Sequence, residues 1–352
     1  MGCRNSKTVH APEALDPIET VWKISDLKAP LEKRAKNRRR HGQRGRRWEQ
    51  TNWASSAIMD QRVTAKYIIK AQIGKGKFGR VVRVEHRASK QPYAMKTLDT
   101  SSGRTAFDTE LSVLRRVNHP NIVRIVEILD ANQKVFIVME LATGGSLLDR
   151  MDVLRRPFNE DEARAALKMV LSGVAYLHKV GITHRALRPD TLLYTHPGPD
   201  AKIIITDFAF GHVRRHDANE FMHTVCGVIQ YMAPEIVERR PYTCAVDMWA
   251  VGVTTFILLS ETFPFDGRHD ASIVRCILKG ELSMEAKVWC MVSNEAKGLI
   301  RRLLQHDPGR RISARRALHH PWICGRAEGS GSSLSSEKSL SQVQRTTRVN
   351  QS

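Results

Sequence analysis

A glycine-rich segment, GKGKFGRV, lies between two strand-like patterns and restricts the possible folds more than any other feature of the chain. Its glycines, Gly74, Gly76 and Gly79, allow backbone amides to lie close to phosphate groups. A lone GxGxxG is a weak signal, because a plain hairpin turn explains it about equally well. No helix pattern follows these glycines, which argues against the dinucleotide-binding fold, in which the motif opens a helix.

Three charged residues downstream place the glycine segment in a chemical context. Lys96 lies in the strand pattern PYAMKTL, and Glu110 lies on a helical stretch from Thr105 to Val117. Their opposite charges predict an ion pair in which Lys96 holds the α- and β-phosphates of a nucleotide. Asp207 follows the apolar strand KIIIT, where a carboxylate can hold magnesium against phosphates. Taken singly, each residue has an ordinary explanation as a solvated or turn residue.

Composition and periodicity divide the chain into three regions. Residues 1–62 hold a candidate lipidation signal and a basic, mostly disordered segment. Residues 63–322 carry the globular pattern, which alternates in strand fashion at first and becomes helical from Asn159 onward. Residues 323–352 form a Ser-rich tail that we predict to be disordered, because it has too few apolar residues to form a core. We predict an α+β domain with a small antiparallel sheet lobe carrying one helix and a larger, mainly helical lobe.

The chain is strongly basic, with 56 lysines and arginines against 36 acidic residues and a formal charge of +20. This charge suits phospholipid headgroups, nucleic acid or acidic proteins, and charge alone does not choose among them. The six cysteines are scattered without a CxxC pair, so we expect a reduced, cytosolic setting and no zinc site. The longest apolar stretch is too short to cross a bilayer, so we expect any membrane attachment to be peripheral.

The order of the motifs resembles that of the eukaryotic protein kinases from about Tyr67 to Trp322. The resemblance includes HPNIV at His119–Val123, Ala233-Pro234-Glu235 and Asp247-Met248-Trp249. ELATGG, GITHR, DMWAVGV and HPW are similar to the calcium/calmodulin-dependent kinase group, and RVTAKY with RVVRVEHRASKQPYAMK resembles the protein serine kinase H family. The chain looks like a degenerate member of that family, with a bilobal protein-kinase fold.

The resemblance implies a site for ATP and magnesium. The implied nucleotide-binding residues are Gly74, Lys75, Gly76, Gly79, Val81, Ala94, Lys96, Glu110, Glu140, Ala142 and Leu193. Val81, Ala94 and Leu193 would sandwich the adenine, residues 140–142 would form the hinge, and Asp207 would bind the metal. The apolar positions would be core even without nucleotide. The resemblance also implies that Glu235 pairs with Arg311 and that Asp247 braces the catalytic loop.

The catalytic loop departs from the family pattern. Relatives read HRDLKPEN, whereas His184–Thr191 of this chain reads HRALRPDT. Ala186 occupies the aspartate position and offers no acceptor for a substrate hydroxyl, a loss expected to cost about 10²- to 10⁴-fold in rate. Thr191 replaces the asparagine that binds a metal ion, and Arg188 keeps a positive charge at the lysine position without matching a compact ammonium group.

Three more positions differ from the family. Ala209 puts a Cβ where the DFG motif has glycine, and Val228 replaces a threonine that bonds the catalytic aspartate and lysine. Ser146 stands where relatives that prefer basic substrates have a glutamate. The sequence therefore does not indicate which substrates an active form would prefer. Because Ala209 and Val228 belong to the same reaction centre as Ala186 and Thr191, we predict a pseudokinase.

Two functions remain open at this point. The first is a signalling scaffold or regulator that binds partners and binds ATP weakly at most. The second is a low-activity, ATP-dependent Ser/Thr protein kinase, since the loose transition state of phosphoryl transfer does not strictly require a base. Arg185 is retained, and in relatives it receives a phosphorylated activation-segment residue, for which Thr224 is the nearest candidate. A structural tie between this arginine and its own loop explains its presence equally well.

The start of the chain, MGCRNS, fits the myristoylation pattern at Gly2, with Cys3 as a natural palmitoylation site. Lys33–Arg47 contains nine basic residues and no acidic one, which suits an anionic leaflet. Such runs also serve as nuclear-import signals or RNA contacts, and Trp48 and Trp53 lie nearby. The lipidation signature favours the cytoplasmic face of a membrane, such as the Golgi or plasma membrane, over the nucleus, and makes nucleic acid the less favoured partner.

Overall fold

A computed structural model of the protein describes residues 21–22, 60–76, 79–99, 105–131, 134–214 and 221–325. The predicted lipidation signal, the basic segment 33–47 and the tail from residue 326 onward lie outside these residues. The described chain forms a sheet lobe followed by a helical lobe, so the predicted α+β bilobal fold is confirmed.

The first lobe is a five-stranded antiparallel sheet in the order β2-β3-β4-β6-β5. Its strands are β2 (Tyr67–Gly76), β3 (Gly79–His86), β4 (Pro92–Asp99), β5 (Ile125–Ala131) and β6 (Lys134–Met139). Its helices are α1 (Gln61–Lys66) and α2 (Thr105–Leu114). The helix α2 ends three residues before its predicted end. Strand β4 lies between β3 and β6, which fixes both neighbours of Lys96 and so the direction of its side chain.

Helix α1 was not predicted, and it begins before the expected domain boundary at residue 63. Asp60 caps it by accepting a hydrogen bond of 2.8 Å from the backbone amide of Arg62. Val63 is completely buried against the sheet, and the hydroxyl of Tyr67 donates to Glu127 at 2.9 Å. One apolar residue and one cap are enough to dock this short helix, and neither gives a periodic sequence signal.

The second lobe is built mainly from helices. They are α3 (Leu147–Leu154), α4 (Glu160–Lys179), α5 (Pro234–Val237), α6 (Ala245–Ser260), α7 (Asp270–Lys279), α8 (Asn294–Leu303), α9 (Ala314–Leu318) and α10 (Pro321–Cys324). Its strands are β7 (Ile182–Thr183), β8 (Leu192–Tyr194), β9 (Ile203–Ile205), β10 (His212–Val213) and β11 (Gly227–Val228). Helix α6 is buried along its whole length and forms the centre of the core.

Helix α4 begins where the sequence pattern turns helical. Asn159 and Glu162 form a capping box, with hydrogen bonds of 2.8 and 2.9 Å between each side chain and the other residue's amide. Its apolar face packs on the core through Ala163, Ala166, Leu167, Val170, Leu171, Val174 and Leu177. Two basic residues, His178 and Lys179, occupy the last turn, where the helix dipole favours positive charge.

Two residues of the region predicted to be mostly disordered adopt strand geometry. The backbone of β1 (Val21–Trp22) pairs in parallel with β11. This pairing places the backbone of residues 21–22 beside the segment that follows Cys226. Within the described residues, no helix is both long enough and apolar enough to span a bilayer.

Candidate active site

The predicted ion pair between Lys96 and Glu110 is present at the interface of the two lobes. Lys96 Nζ lies 2.8 and 2.9 Å from the two carboxylate oxygens of Glu110 and 3.4 Å from Asp207 Oδ1. The Lys96 and Glu110 side chains are 11% and 4% exposed, whereas Asp207 is 36% exposed. Burial opposes the charged form of Lys96, but the two carboxylates outweigh it and raise its pKa. The lysine is therefore charged and fixed, as a phosphate-holding group must be.

The predicted adenine positions lie on strands of both lobes, β3, β4 and β8. Ala94 is buried on β4, opposite Met139 of β6, while Val81 and Leu193 are half-buried. Glu140 begins the hinge, and its carboxylate accepts a hydrogen bond of 2.7 Å from the amide of Arg124. The glutamate side chain is thus used to tie the hinge to the segment before β5, along with a backbone bond from the Glu140 amide to the Arg124 carbonyl.

Gly79 is required for sheet packing as well as for the loop. Its φ is +143°, and a Cβ there would lie 1.8 Å from the carbonyl oxygen of Thr97. Gly74 faces Val81 across the hairpin, and a Cβ there would find ordinary packing distances. The backbone of Lys75 and Gly76 continues β2 in the predicted place. Gly79 is therefore required by the packing of the sheet, whereas the other glycines of the pattern are explained by the predicted phosphate contact.

Asp247 braces the catalytic loop from below, as predicted. It is fully buried, and its two oxygens accept hydrogen bonds from the backbone amides of His184 (2.9 Å) and Arg185 (2.8 Å). The His184 ring lies 3.0 Å from the carbonyl of Thr206 and packs edge-on against Phe208 with the ring centroids 4.8 Å apart. The loop is therefore held in place although its sequence is degenerate.

Ala186 faces a small cavity at the point where relatives have the aspartate. The cavity has a volume of about 20 Å³, roughly the space of one water molecule, and Asp207, Phe210 and Val228 also line it. Ala186 and Val228 contribute only apolar side-chain atoms to this wall. The resemblance implies an aspartate and a threonine at these two positions, so relative to that pattern the wall lacks two polar groups.

Thr191 is turned into its own loop and is only 3% exposed. Its Oγ1 donates to the carbonyl of Arg188 at 3.0 Å and accepts from the amide of the same residue at 3.2 Å. These bonds close the 3-10 turn Pro189–Thr191. Because its hydroxyl proton and one of its two lone pairs are used locally and the side chain is buried, Thr191 is poorly placed to hold a metal ion.

Asp207 is the one metal-ligand candidate that keeps its place. It lies two residues after β9 with φ at +66°, a left-handed conformation that costs of order 1–3 kcal/mol in a residue other than glycine and tends to mark functional sites. Ala209 is buried, and it is not one of the described residues that have a positive φ. The unusual dihedral of this turn therefore falls on Asp207, and the Cβ of Ala209 does not strain the backbone.

Arg188 keeps the positive charge at the lysine position of the loop. Its Nη1 lies 3.3 Å from Oδ2 of Asp190, and both side chains are partly exposed. Burial raises the pKa of the Asp190 carboxyl, while the charge of Arg188 opposes this shift. The carboxylate closest in sequence to Ala186 is thus occupied by a partner within the loop.

Arg185 is tied to neighbouring segments. Its Nε donates to the carbonyl of Phe210 at 2.5 Å, and Nη1 donates to the hydroxyl of Tyr242 at 3.1 Å. Tyr242 in turn donates to the carbonyl of Thr224 at 2.6 Å, while Thr224 itself is exposed. These bonds favour the structural explanation for Arg185 over the phosphate-receiving one. Ser146, for its part, caps α3 through a capping box with Asp149.

The predicted pair between Glu235 and Arg311 is the most buried ion pair among the described residues. The guanidinium donates to the two carboxylate oxygens at 2.7 and 3.0 Å, and both side chains are at most 1% exposed. Arg311 also donates to the carbonyl of Ala245 at 2.9 Å and lies over the ring of Trp249. This cluster joins α5 to the loop that follows α8.

His178 was not singled out from the sequence, yet it belongs to the brace. Its Nε2 lies 2.9 Å from Oδ2 of Asp247, the oxygen that also accepts from His184. Burial disfavours the charged ring, but Asp247 and the nearby thiol of Cys244 outweigh it and raise the pKa of His178 to about 9. The last turn of α4 thus supplies a cation under the catalytic loop.

We expect this pair to make stability fall as the pH rises. A folded-state pKa of about 9 against an ordinary value of 6.5 means that the contribution is complete below pH 6.5 and disappears as the pH passes 9. The shift corresponds to about 3 kcal/mol of unfolding free energy. Urea unfolding between pH 6.5 and 9.5 measures this loss of unfolding free energy. His178→Gln keeps a hydrogen-bond donor for Asp247 but does not titrate, so its unfolding free energy should change less with pH. An equal dependence of the unfolding free energy on pH in both proteins would contradict the assignment of this dependence to His178.

Comparison with known proteins shows the family to which the chain belongs. The protein kinase domain matches residues 67–323, and the chain belongs to the protein kinase family. The chain is 51% identical to serine/threonine-protein kinase H1 from Homo sapiens over 288 residues, which cover 81% of this chain and 68% of that protein. It is 48% identical to the Homo sapiens serine/threonine-protein kinase H2 over 276 residues, covering 78% and 71%.

A more distant relative is the calcium/calmodulin-dependent protein kinase type IV of Mus musculus, at 40% identity over 260 residues that cover 74% of this chain and 55% of the relative. The similarities fit the protein serine kinase H family, as the sequence motifs indicated. The chain is therefore a member of the serine/threonine protein-kinase family.

Proposed function

We propose that this kinase-family member is a pseudokinase that acts by binding partner proteins at a membrane surface. The observation that carries the proposal is Ala186, whose methyl group stands where a carboxylate would orient the substrate hydroxyl. The hydrogen bonding of Thr191 within its own loop supports it, because the second metal ligand is lost as well. The intact braces at Asp247 and Arg311 explain how the fold persists without the chemistry.

The residues fit ATP better than they fit magnesium. Lys96 and Glu110 form the phosphate-holding pair, and the apolar positions of the adenine cleft are retained. Asp207 is the remaining candidate to hold a metal ion against the phosphates, since Thr191 is committed elsewhere. We therefore propose weak ATP binding that depends little on magnesium.

A thermal-shift titration checks this proposal. We expect millimolar ATP to raise the unfolding temperature slightly, by nearly the same amount with and without magnesium. Asp207→Asn should leave the shift in place, because this partly exposed carboxylate acts through the metal. Ala94→Trp, which fills the adenine cleft from a buried strand position, should abolish it. No shift in the unaltered protein would mean an empty scaffold, and a shift that needs magnesium would contradict the reduced metal site.

The alternative is a low-activity Ser/Thr protein kinase. The close approach of Lys96 to both Glu110 and Asp207 favours this alternative, because it assembles most of the charge that phosphoryl transfer requires. Positioning and charge stabilisation without a formal base would then give a slow reaction. The two functions differ in one observable, phosphoryl transfer to a peptide by the purified protein.

Membrane attachment forms the second part of the proposal. Gly2 and Cys3 supply two acylation sites, and two acyl chains hold a protein on a bilayer far more stably than one. The basic segment 33–47 adds attraction to an anionic cytoplasmic leaflet. Cell fractionation tests this: Gly2→Ala should move the protein from membranes to the soluble fraction, and Cys3→Ser should do so partially. Membrane recovery unaffected by Gly2→Ala would overturn the attachment.

A further inference from the structure

A basic groove lies on the helical lobe, away from the nucleotide cleft. It is formed by the end of α8, the loop that follows, α9 and the start of α10, and it encloses about 640 Å³. The side chains that define it are Arg302, Arg310, Arg315, Arg316, His319 and His320. Among the described residues that line it, none is acidic.

The arginines of the basic groove have little local compensation. Arg302, Arg315 and Arg316 are exposed and form no ion pair with another described residue. Arg310 lies 3.5 Å from Asp307, with both side chains largely in solvent, so this pair contributes little. The pKa of the neighbouring His320 is lowered by burial and by the charge of Arg302. The groove therefore carries an excess of positive charge on one face.

The backbone beneath the groove is fixed. The amide of Ile312 donates to the carbonyl of Arg302 at 3.1 Å, which joins the end of α8 to the segment that enters α9. Leu303, Ala314 and Ala317 are buried in the core directly below the exposed arginines. The positions of the guanidinium-bearing residues are therefore set by the fold, although their side chains extend into solvent.

We propose that the basic groove is a docking site for the phosphate groups of anionic phospholipid headgroups. Guanidinium groups form forked, charge-assisted hydrogen bonds with phosphate, and several on a concave face match a headgroup that carries more than one negative charge. The choice of a lipid as the occupant rests on the proposed membrane attachment, which already places the domain beside a bilayer. Bound in this way, the helical lobe faces the membrane in one orientation.

The test uses the full chain without its acyl groups, so that a failure of lipidation does not affect the result. Binding to vesicles of phosphatidylcholine with phosphatidylinositol 4,5-bisphosphate is compared with binding to phosphatidylcholine alone. The groove variant carries Arg302→Gln, Arg315→Gln and Arg316→Gln together. Each charge near an anionic leaflet is worth about fivefold in affinity, so we expect the groove variant, which lacks three charges, to bind about a hundredfold more weakly.

The matched control carries Arg239→Gln, Arg268→Gln and Arg275→Gln. These three exposed arginines lie in the same lobe, outside the groove, and the variant has the same net charge. We expect it to bind the charged vesicles nearly as well as the unaltered chain, because the three replaced arginines do not line the groove. Thermal unfolding of each protein verifies that the domains are folded.

Two outcomes would overturn the proposal. Equal losses in the groove variant and the control would mean that total charge, and not the groove, determines vesicle binding. Unchanged vesicle binding by the groove variant, together with weaker binding to a single-stranded RNA oligonucleotide, would assign the groove to nucleic acid. Either outcome leaves the pseudokinase proposal intact, because that proposal depends on phosphoryl transfer and not on this surface.

Discussion

Replacing Arg311 with alanine is expected to lower the free energy of unfolding by about 3–5 kcal/mol, the largest stability effect of any single change considered for this protein. The guanidinium is completely buried and forms two hydrogen bonds with Glu235. Its removal leaves a carboxylate in the core without a partner and without water. Urea unfolding of the purified protein measures the loss.

The adjacent residue provides the control for this experiment. Arg310 has the same charge but is 82% exposed, so Arg310→Ala should change the unfolding free energy by less than about 1 kcal/mol. Replacing both partners, with Glu235→Leu and Arg311→Met, should recover much of the lost stability, because no unpaired charge remains. A similar, small effect for Arg311→Ala and Arg310→Ala would mean that the pair is not buried as described.

Restoring a carboxylate with Ala186→Asp is expected to give peptide phosphorylation well above the background of the unaltered chain, because an acid–base group of this kind is worth about 10²- to 10⁴-fold in rate. The catalytic loop is already held by Asp247, and the small cavity beside Ala186 gives the new side chain room. The gain should lie at the lower end, because Thr191 still lacks the metal-binding amide. Adding Thr191→Asn should increase the rate further.

Ala186→Asn is the matched control for the gain in activity. Asparagine has nearly the shape of aspartate but cannot accept the proton of a substrate hydroxyl, so this variant should remain at the level of the unaltered chain. Initial rates with a labelled γ-phosphate and a serine peptide distinguish the three proteins. Equal rates for the aspartate and asparagine variants would show that the missing base is not the limiting defect.

Buried charges were the most predictable part of the site. Lys96 and Glu110 carry opposite charges on a strand pattern and a helical pattern, and the resemblance to the protein kinases paired Glu235 with Arg311. The order of the motifs then named each partner correctly, over separations of 14 residues for the first pair and 76 for the second. The two-lobe fold was predictable because the periodicity changes from alternating to helical near Asn159, although the helical lobe already begins with α3 at Leu147.

Contacts made by ordinary residues were not predictable. Nothing in the sequence distinguishes His178 from a solvated residue in the last turn of a helix, and only the fold brings it to Asp247, 69 positions away. The hydroxyl of Thr191 forms hydrogen bonds with the backbone of Arg188. The sequence alone does not show whether this hydroxyl bonds within the loop or binds a metal ion. Helix α1 was missed because Val63 alone anchors it to the sheet.

The most direct test of the pseudokinase account is phosphoryl transfer from labelled ATP to a serine peptide by the purified, unaltered protein, measured beside its Asp207→Asn variant. The account predicts the same background signal from both preparations, since any trace of activity would come from a contaminating kinase that the substitution does not affect. Turnover by the unaltered protein that disappears in the Asp207→Asn variant would contradict it and establish a working, if slow, kinase.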